Sequence, residues 1–516
     1  MALLWPLTAA VGAAVPAESG AGPLFIQEFQ VRGVHQLSHL EVEDTVYPFL
    51  GPGRSQDDVE HARAALEKAY HDHGWQTVAV EIPPQEVKDG VVTLQVVEGA
   101  VGRLRVRDAR YFSPAEIKSA APSLAEGTVP NFNDVQHDIV ALNQLPDRRV
   151  TPSLRPGVVP GTVDVDLEVK DSLPLHGSIE LNNRASANTT ALRLNGSLSY
   201  ANLWQLGHTL GLSFQVAPEK PSEAKVFSGY YLVHVPEVAA LSLMLQGTKQ
   251  DSNVSTIGGT AVNGRGTILG PRALVTLPGA KGFYHSLSLG FDYKHFDQNI
   301  TVAGSQIVAP ITYYPWTAQY SATWLGDGSS TDLNAGVTLH VRGVGSSTTA
   351  FNNSRYQADG GFIYFRGDLA HARDLPAGFQ AYGKVQGQLA SAPLLSGEQF
   401  SAGGLGTVRG YLEGEVPGDN ALTGTLELRG PPLTRWLAAS VNEARLYLFF
   451  DAAGLTLVNP LPGQQARFEL ASFGIGGRLR LREHFNAAFD LGVPLTAQGQ
   501  TQPHDLRLTL RGWADF

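Results

Sequence analysis

"LRLTLRGWADF", Leu506 to Phe516, is the stretch whose reading decides the fold. Leu506, Leu508 and Leu510 alternate with Arg507, Thr509 and Arg511. A period of two puts the leucines on one face of a strand and the arginines on the other. In a membrane barrel such an apolar face meets lipid and the charged face meets a wet lumen. The same alternation recurs upstream in "LRLNGSLSY" (192–200), "TLGLSFQV" (209–216), "SLSLGFDYKHF" (286–296), "DLNAGVTLHV" (332–341), "GFIYFRGDLAHA" (361–372), "RLYLFFDAAG" (445–454) and "HFNAAFDLGV" (484–493). Helical periodicity is nearly absent beyond Leu175.

An array of soluble β-sandwiches also alternates, and three features count against it. No period of about 100 residues marks separate sandwich domains. Tyrosine and tryptophan cluster in "YYPWTAQYSATW" (313–324), as an interfacial belt requires. The connections are unequal, short Pro-Gly turns against long glycine-rich ones such as "DSNVSTIGGTAVNGRG" (251–266), the inequality of barrel turns and outer loops. Residues 174–516 are therefore expected to form a transmembrane β-barrel of about 16 antiparallel strands, in contact with outer-membrane lipid. Closing the sheet removes the edges such a chain would otherwise expose.

The front of the chain has a different texture. "FIQEFQVRG" alternates, with Phe25, Phe29 and Val31 against Glu28, Gln30 and Arg32. "SQDDVEHARAALEKAYHDHGW" reads as a helix, with a capping box at Ser55 and Asp58 and Val59, Ala62, Leu66 and Ala69 at helical spacing. "QTVAVEI" and "VVTLQVVEG" follow as strands around Asp89-Gly90. A second unit repeats the plan: "GRLRVR", a capped helix at "SPAE" (113–116), the helix "NDVQHDIVALNQLPD", then the strands "RRVTPSLRPG" and "TVDVDLEVKD". Two small α+β modules are expected, over 23–98 and 99–173. Their small sheets leave edges that can accept an extended peptide, with the helix from Asp58 to His71 as a further docking candidate. Residues 1–22, opening "MALLWPLTAAVGAAVPAESG", read as a signal peptide or a disordered N-terminus, with Val15 and Ala17 at the small-residue positions of a cleavage site.

Composition narrows the function. In 516 residues there are 38 basic and 48 acidic side chains, a net charge of −10, which argues against a nucleic-acid partner. The chain has no cysteine, hence no disulfide, thiolate metal site or cysteine nucleophile. It contains no G-x-S-x-G, H-E-x-x-H or G-x-x-x-x-G-K-[ST], and His71 and His73 lack a third ligand. No catalytic residue, metal or cofactor is expected, and the chain is not expected to be an enzyme.

One segment resists a purely structural reading. "GGLGTVRGYLEGEVPGDN", Gly403 to Asn420, is too long for a hairpin turn and carries Arg409 at its centre. Long connections without an element of their own are functional or disordered. On the residues alone, Arg409 is equally a solvated loop charge.

Two small modules, a barrel and "VRGY" (Val408 to Tyr411) in a long loop together resemble the two-partner secretion transporters, the TpsB branch of the Omp85 superfamily. "LNQLPDRRVTPSLRPG" (142–157) is similar to the family's second POTRA domain, and "FFDAAG" (Phe449 to Gly454) resembles its F-x-D-x-G strand motif, with Ala453 where the glycine is expected and Gly454 after it. The resemblance implies POTRA domains in the periplasm and a barrel in the bacterial outer membrane. It implies a loop, about 397–420, folded into the lumen so that Arg409 meets Asp451, with Val408, Gly410, Tyr411 and Phe449 beside the contact. It further implies export of a large unfolded partner protein, adhesin- or haemolysin-like and recognised by the POTRA domains. Insertion by the barrel-assembly machinery, with Phe516 as C-terminal signal, is also implied. The rival within the superfamily is a barrel-assembly factor that inserts other outer-membrane proteins.

Overall fold

The computed structural model describes residues 24–235, 238, 240–255, 262–302 and 305–516. The N-terminal segment read as a signal peptide lies outside the described residues. The chain divides into two units at Leu173/Pro174.

The first unit holds two modules of the same plan. In the first, β1 (Glu28–Arg32), β2 (Val78–Glu81) and β3 (Val91–Glu98) form a sheet in the order β1-β3-β2, with β1 parallel to β3 and β2 antiparallel to it. Helices α1 (His39–Val46) and α2 (Gln56–Asp72) each start at a complete capping box, Ser38 with Glu41 and Ser55 with Asp58. Each serine oxygen accepts from the backbone three residues on, and each carboxylate accepts from the serine N–H, satisfying two orphan donors at once. These hydrogen bonds from the cap serines hold both carboxyls below the usual carboxylate range.

Helix α2 buries Val59, Ala62, Leu66 and Tyr70 against the sheet. The fourth buried position is thus Tyr70, one residue beyond Ala69, because its hydroxyl can donate to Glu98 at 3.0 Å and so keep a partner inside. The opening strand also differs from simple alternation. The chain pairs Leu24–Ile26 with Gly51–Arg54, then resumes as β1 after Gln27, whose N–H donates to Gly90 O. The interruption flips the faces, so Ile26 is buried and Phe25 exposed.

In the second module β4 (Ala100–Arg107), β5 (Arg148–Pro156) and β6 (Thr162–Asp171) form a sheet in the order β4-β6-β5, with β4 parallel to β6. Helices α3 (Pro114–Ser119) and α4 (Phe132–Leu142) are capped by Ser113 and Asn131. Ile117, Leu124, Leu142, Val165 and Leu167 are fully buried in its core. Each such aliphatic side chain stabilises the module by about 1.5–3 kcal/mol.

The second unit is a closed antiparallel barrel running from β7 (Leu175–Asn182) around to the last strand, which pairs back with β7 from Asn182↔Arg511 to Ser178↔Asp515. Its ring contains 18 paired segments, of which two pairs are single strands interrupted once, making 16 strands. One interruption is Asp292, between Phe283–Phe291 and Tyr293–Val302; the other is Tyr314-Pro315, between Ser305–Tyr313 and Trp316–Gly326. Pro315 has no N–H to give, yet its carbonyl accepts from Asp292 N at 3.0 Å, so the ladder carries through the kink. The expected fold, a 16-stranded transmembrane barrel behind two α+β modules, is the fold observed.

The last five strands display both faces of the wall: β8 (Asn420–Arg429), β9 (Val441–Thr456), β10 (Arg467–Leu481), β11 (Phe485–Pro494) and β12 (Arg507–Asp515). On β9, Leu446, Leu448 and Phe450 are exposed on the outside while Tyr447, Phe449, Asp451, Ala453 and Leu455 are buried on the inside. On β12, Leu508 and Leu510 face out and Arg511 faces in, where Nη2 meets Glu180 Oε2 of β7 at 2.7 Å. That ion pair ties the two ends of the barrel together from the lumen side. Phe516 follows β12 and exchanges both backbone hydrogen bonds with Gly177, each 3.0 Å.

Candidate lumen site

Between Gln380–Ala390 and β8 the chain turns back into the barrel. This lumen loop, 391–419, contains a short hairpin of Phe400–Ala402 with Val416–Gly418. Arg409 stands at its tip, 6% exposed, opposite Asp451, which is fully buried. The contact is a fork: Nε donates to Asp451 Oδ2 at 2.7 Å and Nη2 to Oδ1 at 2.8 Å. The backbone N–H of Arg409 adds a third bond to Oδ2 at 3.0 Å. Two parallel charge-assisted bonds fix orientation as well as energy, which a lysine at this place would not do.

The remaining donor nitrogen is shared. Arg409 Nη1 donates to Glu427 Oε1 of β8 at 2.7 Å and to Asp490 Oδ1 of β11 at 3.4 Å. Glu427 also accepts from Arg429 at 2.9 Å, and Asp490 from the Tyr447 hydroxyl at 2.7 Å. The ring of Phe449 lies 3.7 Å from the guanidinium carbon, closing its face. Phe449 and Asp451 are two apart on β9 and therefore share the lumen face, one stacking on the arginine and the other chelating it.

The neighbours of Arg409 seat the backbone. Val408 is fully buried with Ala453, Leu455 and Leu470. The Tyr411 hydroxyl bridges two strand ends, accepting from Thr496 N at 3.2 Å and reaching Ala471 O at 3.0 Å. Gly410 has φ +91°, open to glycine, and lies directly on Gly492 of β11, where an added Cβ would come within 2.7 Å of Gly410 N and 2.8 Å of its Cα. Gly492 has no room for a side chain, and at Gly410 the positive φ disfavours one. Gly492→Val is expected to lift the loop tip off the wall at a cost of about 1–3 kcal/mol, read as faster maleimide labelling of a cysteine introduced at Val408, which is fully buried in the docked loop.

The alanine at 453 is explained by its surroundings: it faces the lumen beside Val408, and its methyl is accommodated there, whereas Gly454 faces outward. Glu427 and Asp490 were not singled out in the sequence. The signal that finds them is a carboxylate on the inward register of a strand whose outward register is apolar, as in "LTGTLEL" (422–428) and "FDLGV" (489–493). His71 and His73 face backbone carbonyls, Val78 O at 3.0 Å and Ala69 O at 2.8 Å respectively.

Other charged side chains of the loop also attach it to its surroundings, Glu413 and Asp419 among them. Glu413 accepts from Arg184, just past β7, at 2.6 Å, and its N–H donates to Ala185 O at 3.1 Å. Asp419, at the return to β8, is fully buried and accepts from Leu394 N, Gln399 Nε2, Val458 N and Arg355 Nη2, between 2.7 and 3.1 Å. Buried carboxylates with every lone pair engaged resist displacement, since stripping one partner leaves a desolvated charge.

Comparison with known proteins adds lineage to this geometry. A model of the family "Haemolysin secretion/activation protein ShlB/FhaC/HecB" matches residues 161–479, and one of the ShlB-type POTRA domain matches 24–99. The outer membrane transporter CdiB of Dickeya dadantii is 27% identical over 184 residues, 36% of this chain and 32% of that one. The heme/hemopexin transporter protein HuxB of Haemophilus influenzae is 19% identical over 383 residues, 72% of this chain and 66% of that one. The matches to CdiB thus span about a third of those relatives' length. Among solved structures, CdiB from Escherichia coli superposes with a TM-score of 0.59 at 20% identity, covering 98% of this chain and 93% of the other. BamA from Haemophilus ducreyi lacking POTRA domains 1–3 gives 0.57 at 13% identity, covering 95% and 100%. Both share the fold.

Proposed function

Because the chain belongs to the haemolysin secretion/activation family ShlB/FhaC/HecB, we propose that it is the transporter of a two-partner secretion pair, exporting one large partner protein to the cell surface. The barrel is an outer-membrane barrel and the N-terminal modules are periplasmic. In this reading the partner reaches the modules unfolded and adds a strand to an open edge. β1 and β2 are the outer strands of the first sheet, and β4 and β5 of the second. The partner then threads the lumen and folds outside, so that folding supplies the driving force. The last strand, ending at Phe516, is the segment on which the barrel-assembly machinery would act during insertion.

The observation that supports export over passive diffusion is the lumen loop. A porin needs no arginine buried against three carboxylates in its channel. A polypeptide channel that must stay shut between substrates does, because a plug held by a few strong, geometrically specific contacts has a defined shut state and can be released from it. Arg409 then holds the tip of the plug, and Asp451, Glu427 and Asp490 form its receptor on the wall.

The test is the protein content of the cell surface with the chain intact and with residues 24–172 deleted. One large surface protein is expected to disappear on deletion while the other outer-membrane proteins persist. An unchanged surface contradicts the proposal. Loss of many outer-membrane barrels together would instead identify an assembly factor.

A further inference from the structure

Glu398 precedes Arg409 in the lumen loop and is the best-satisfied carboxylate of the loop's first limb. Its side chain is 1% exposed. Oε1 accepts from Lys294 Nζ at 2.6 Å and from the Tyr313 hydroxyl at 2.7 Å, and Oε2 from the Tyr364 hydroxyl at 2.8 Å. Its backbone carbonyl accepts from Arg366 Nη2 at 2.9 Å and Gln388 Nε2 at 3.2 Å. These partners stand on Tyr293–Val302, Ser305–Tyr313, Phe362–Asp374 and Gln380–Ala390, whereas those of Arg409 stand on β8, β9 and β11. The two residues therefore grip different arcs of the wall.

Around Glu398 the loop packs against apolar side chains of the wall. Leu394 and Leu395 of the loop are fully buried with Phe296, Ile311 and Phe362 of the wall. The cluster is completed from above by Phe351, on the short helix Thr348–Ser354, whose ring is 6.0 Å from that of Tyr313. A buried carboxylate in an apolar setting is tolerated only with its partners in place, so this contact has one geometry.

We propose that Glu398 is a second positioning residue of the lumen loop, one that closes the outer part of the pore independently of Arg409. The loop is then pinned at two levels, by a mid-lumen arginine fork and by an outer carboxylate set in an apolar plug. Releasing either alone leaves the other limb attached. The idea rests on the reading of the lumen as the export route.

The chain has no cysteine, so single introduced cysteines report cleanly on each limb. Ser401→Cys probes the limb next to Glu398, and Val408→Cys, at a fully buried position, the limb next to Arg409. Glu398→Ala and Lys294→Met are expected to raise maleimide labelling at the first probe about tenfold or more, the equivalent of losing a contact worth at least about 1.4 kcal/mol. Labelling at the second should change less than about twofold, a difference that corresponds to under about 0.5 kcal/mol. Tyr364→Phe should act in the same direction but less, and Glu398→Gln, which keeps the shape and two acceptor contacts, should recover most of the slow labelling. If both probes rise together, or the first does not move in variants that still form heat-modifiable barrels, Glu398 is no independent anchor. Should Glu398→Ala not assemble, unchanged labelling in Tyr364→Phe overturns the proposal by itself. A failure of the export reading looks different: the labelling pattern holds, but no surface protein depends on the chain.

Discussion

Arg409→Ala is expected to free the tip of the lumen loop and to give the largest functional change of any single substitution. It removes four side-chain hydrogen bonds and leaves Asp451, Glu427 and Asp490 facing one another without their cation. Breaking a buried ion pair from one side costs about 3–5 kcal/mol. At about 1.4 kcal/mol per decade, the undocked population rises by roughly two to three and a half orders of magnitude. The measurement is the labelling rate at Val408→Cys, a position fully buried in the docked loop, which should rise while the amount of barrel in the membrane stays constant; channel conductance should rise once Glu398→Ala is added to release the second limb. Arg409→Lys should recover little, because a point charge cannot fill both oxygens of Asp451 and the Glu427 contact at once.

Reversing the pair, Arg409→Asp with Asp451→Arg, is a natural rescue when only the two motif residues are considered. The structure predicts that it fails. The new carboxylate at 409 would sit among Glu427 and Asp490, so the exchange restores one attraction and creates two repulsions.

Leu448→Arg is the second large expectation, and it bears on the fold. Leu448 lies near the middle of β9, on the outer face, 58% exposed. A cation on the lipid face near the midplane of a barrel costs about 2–4 kcal/mol. Ser321→Arg, on the inner register of Trp316–Gly326 where Ser321 donates to Asn334 at 2.8 Å, should cost under about 1 kcal/mol, since the new side chain can reach water. Urea titration of each variant folded in lipid vesicles measures the difference. Equal costs at the two sites would mean that the outer face is not in lipid.

The barrel was legible because period-two alternation is written locally, residue by residue, in strands such as β9 and β12. The register of its seam was not, because pairing β7 with β12 joins the two ends of the unit and no local signal records which residues meet. Glu180 with Arg511 shows the seam only once both strands are placed. In the front modules α2 and α3 were legible from their caps and α4 from its apolar spacing, whereas α1 was not located although Ser38 and Glu41 give it the same box. The flip at Gln27 was not, since a one-residue interruption reverses faces without altering composition. At the lumen site, Arg409 and Asp451 came to notice through motif resemblance. Glu427, Asp490, Glu398 and Glu413 had no motif to announce them; each is an ordinary carboxylate whose role arises from where the loop passes.

The account's central claim is that the loop obstructs a wet pore. Single-channel conductance in planar bilayers tests it most directly, comparing the intact protein with one in which residues 397–418 are replaced by a short glycine-serine turn. The account predicts small, infrequent openings for the intact protein and large, steady ones for the shortened chain. Equal conductance in the two proteins would contradict it.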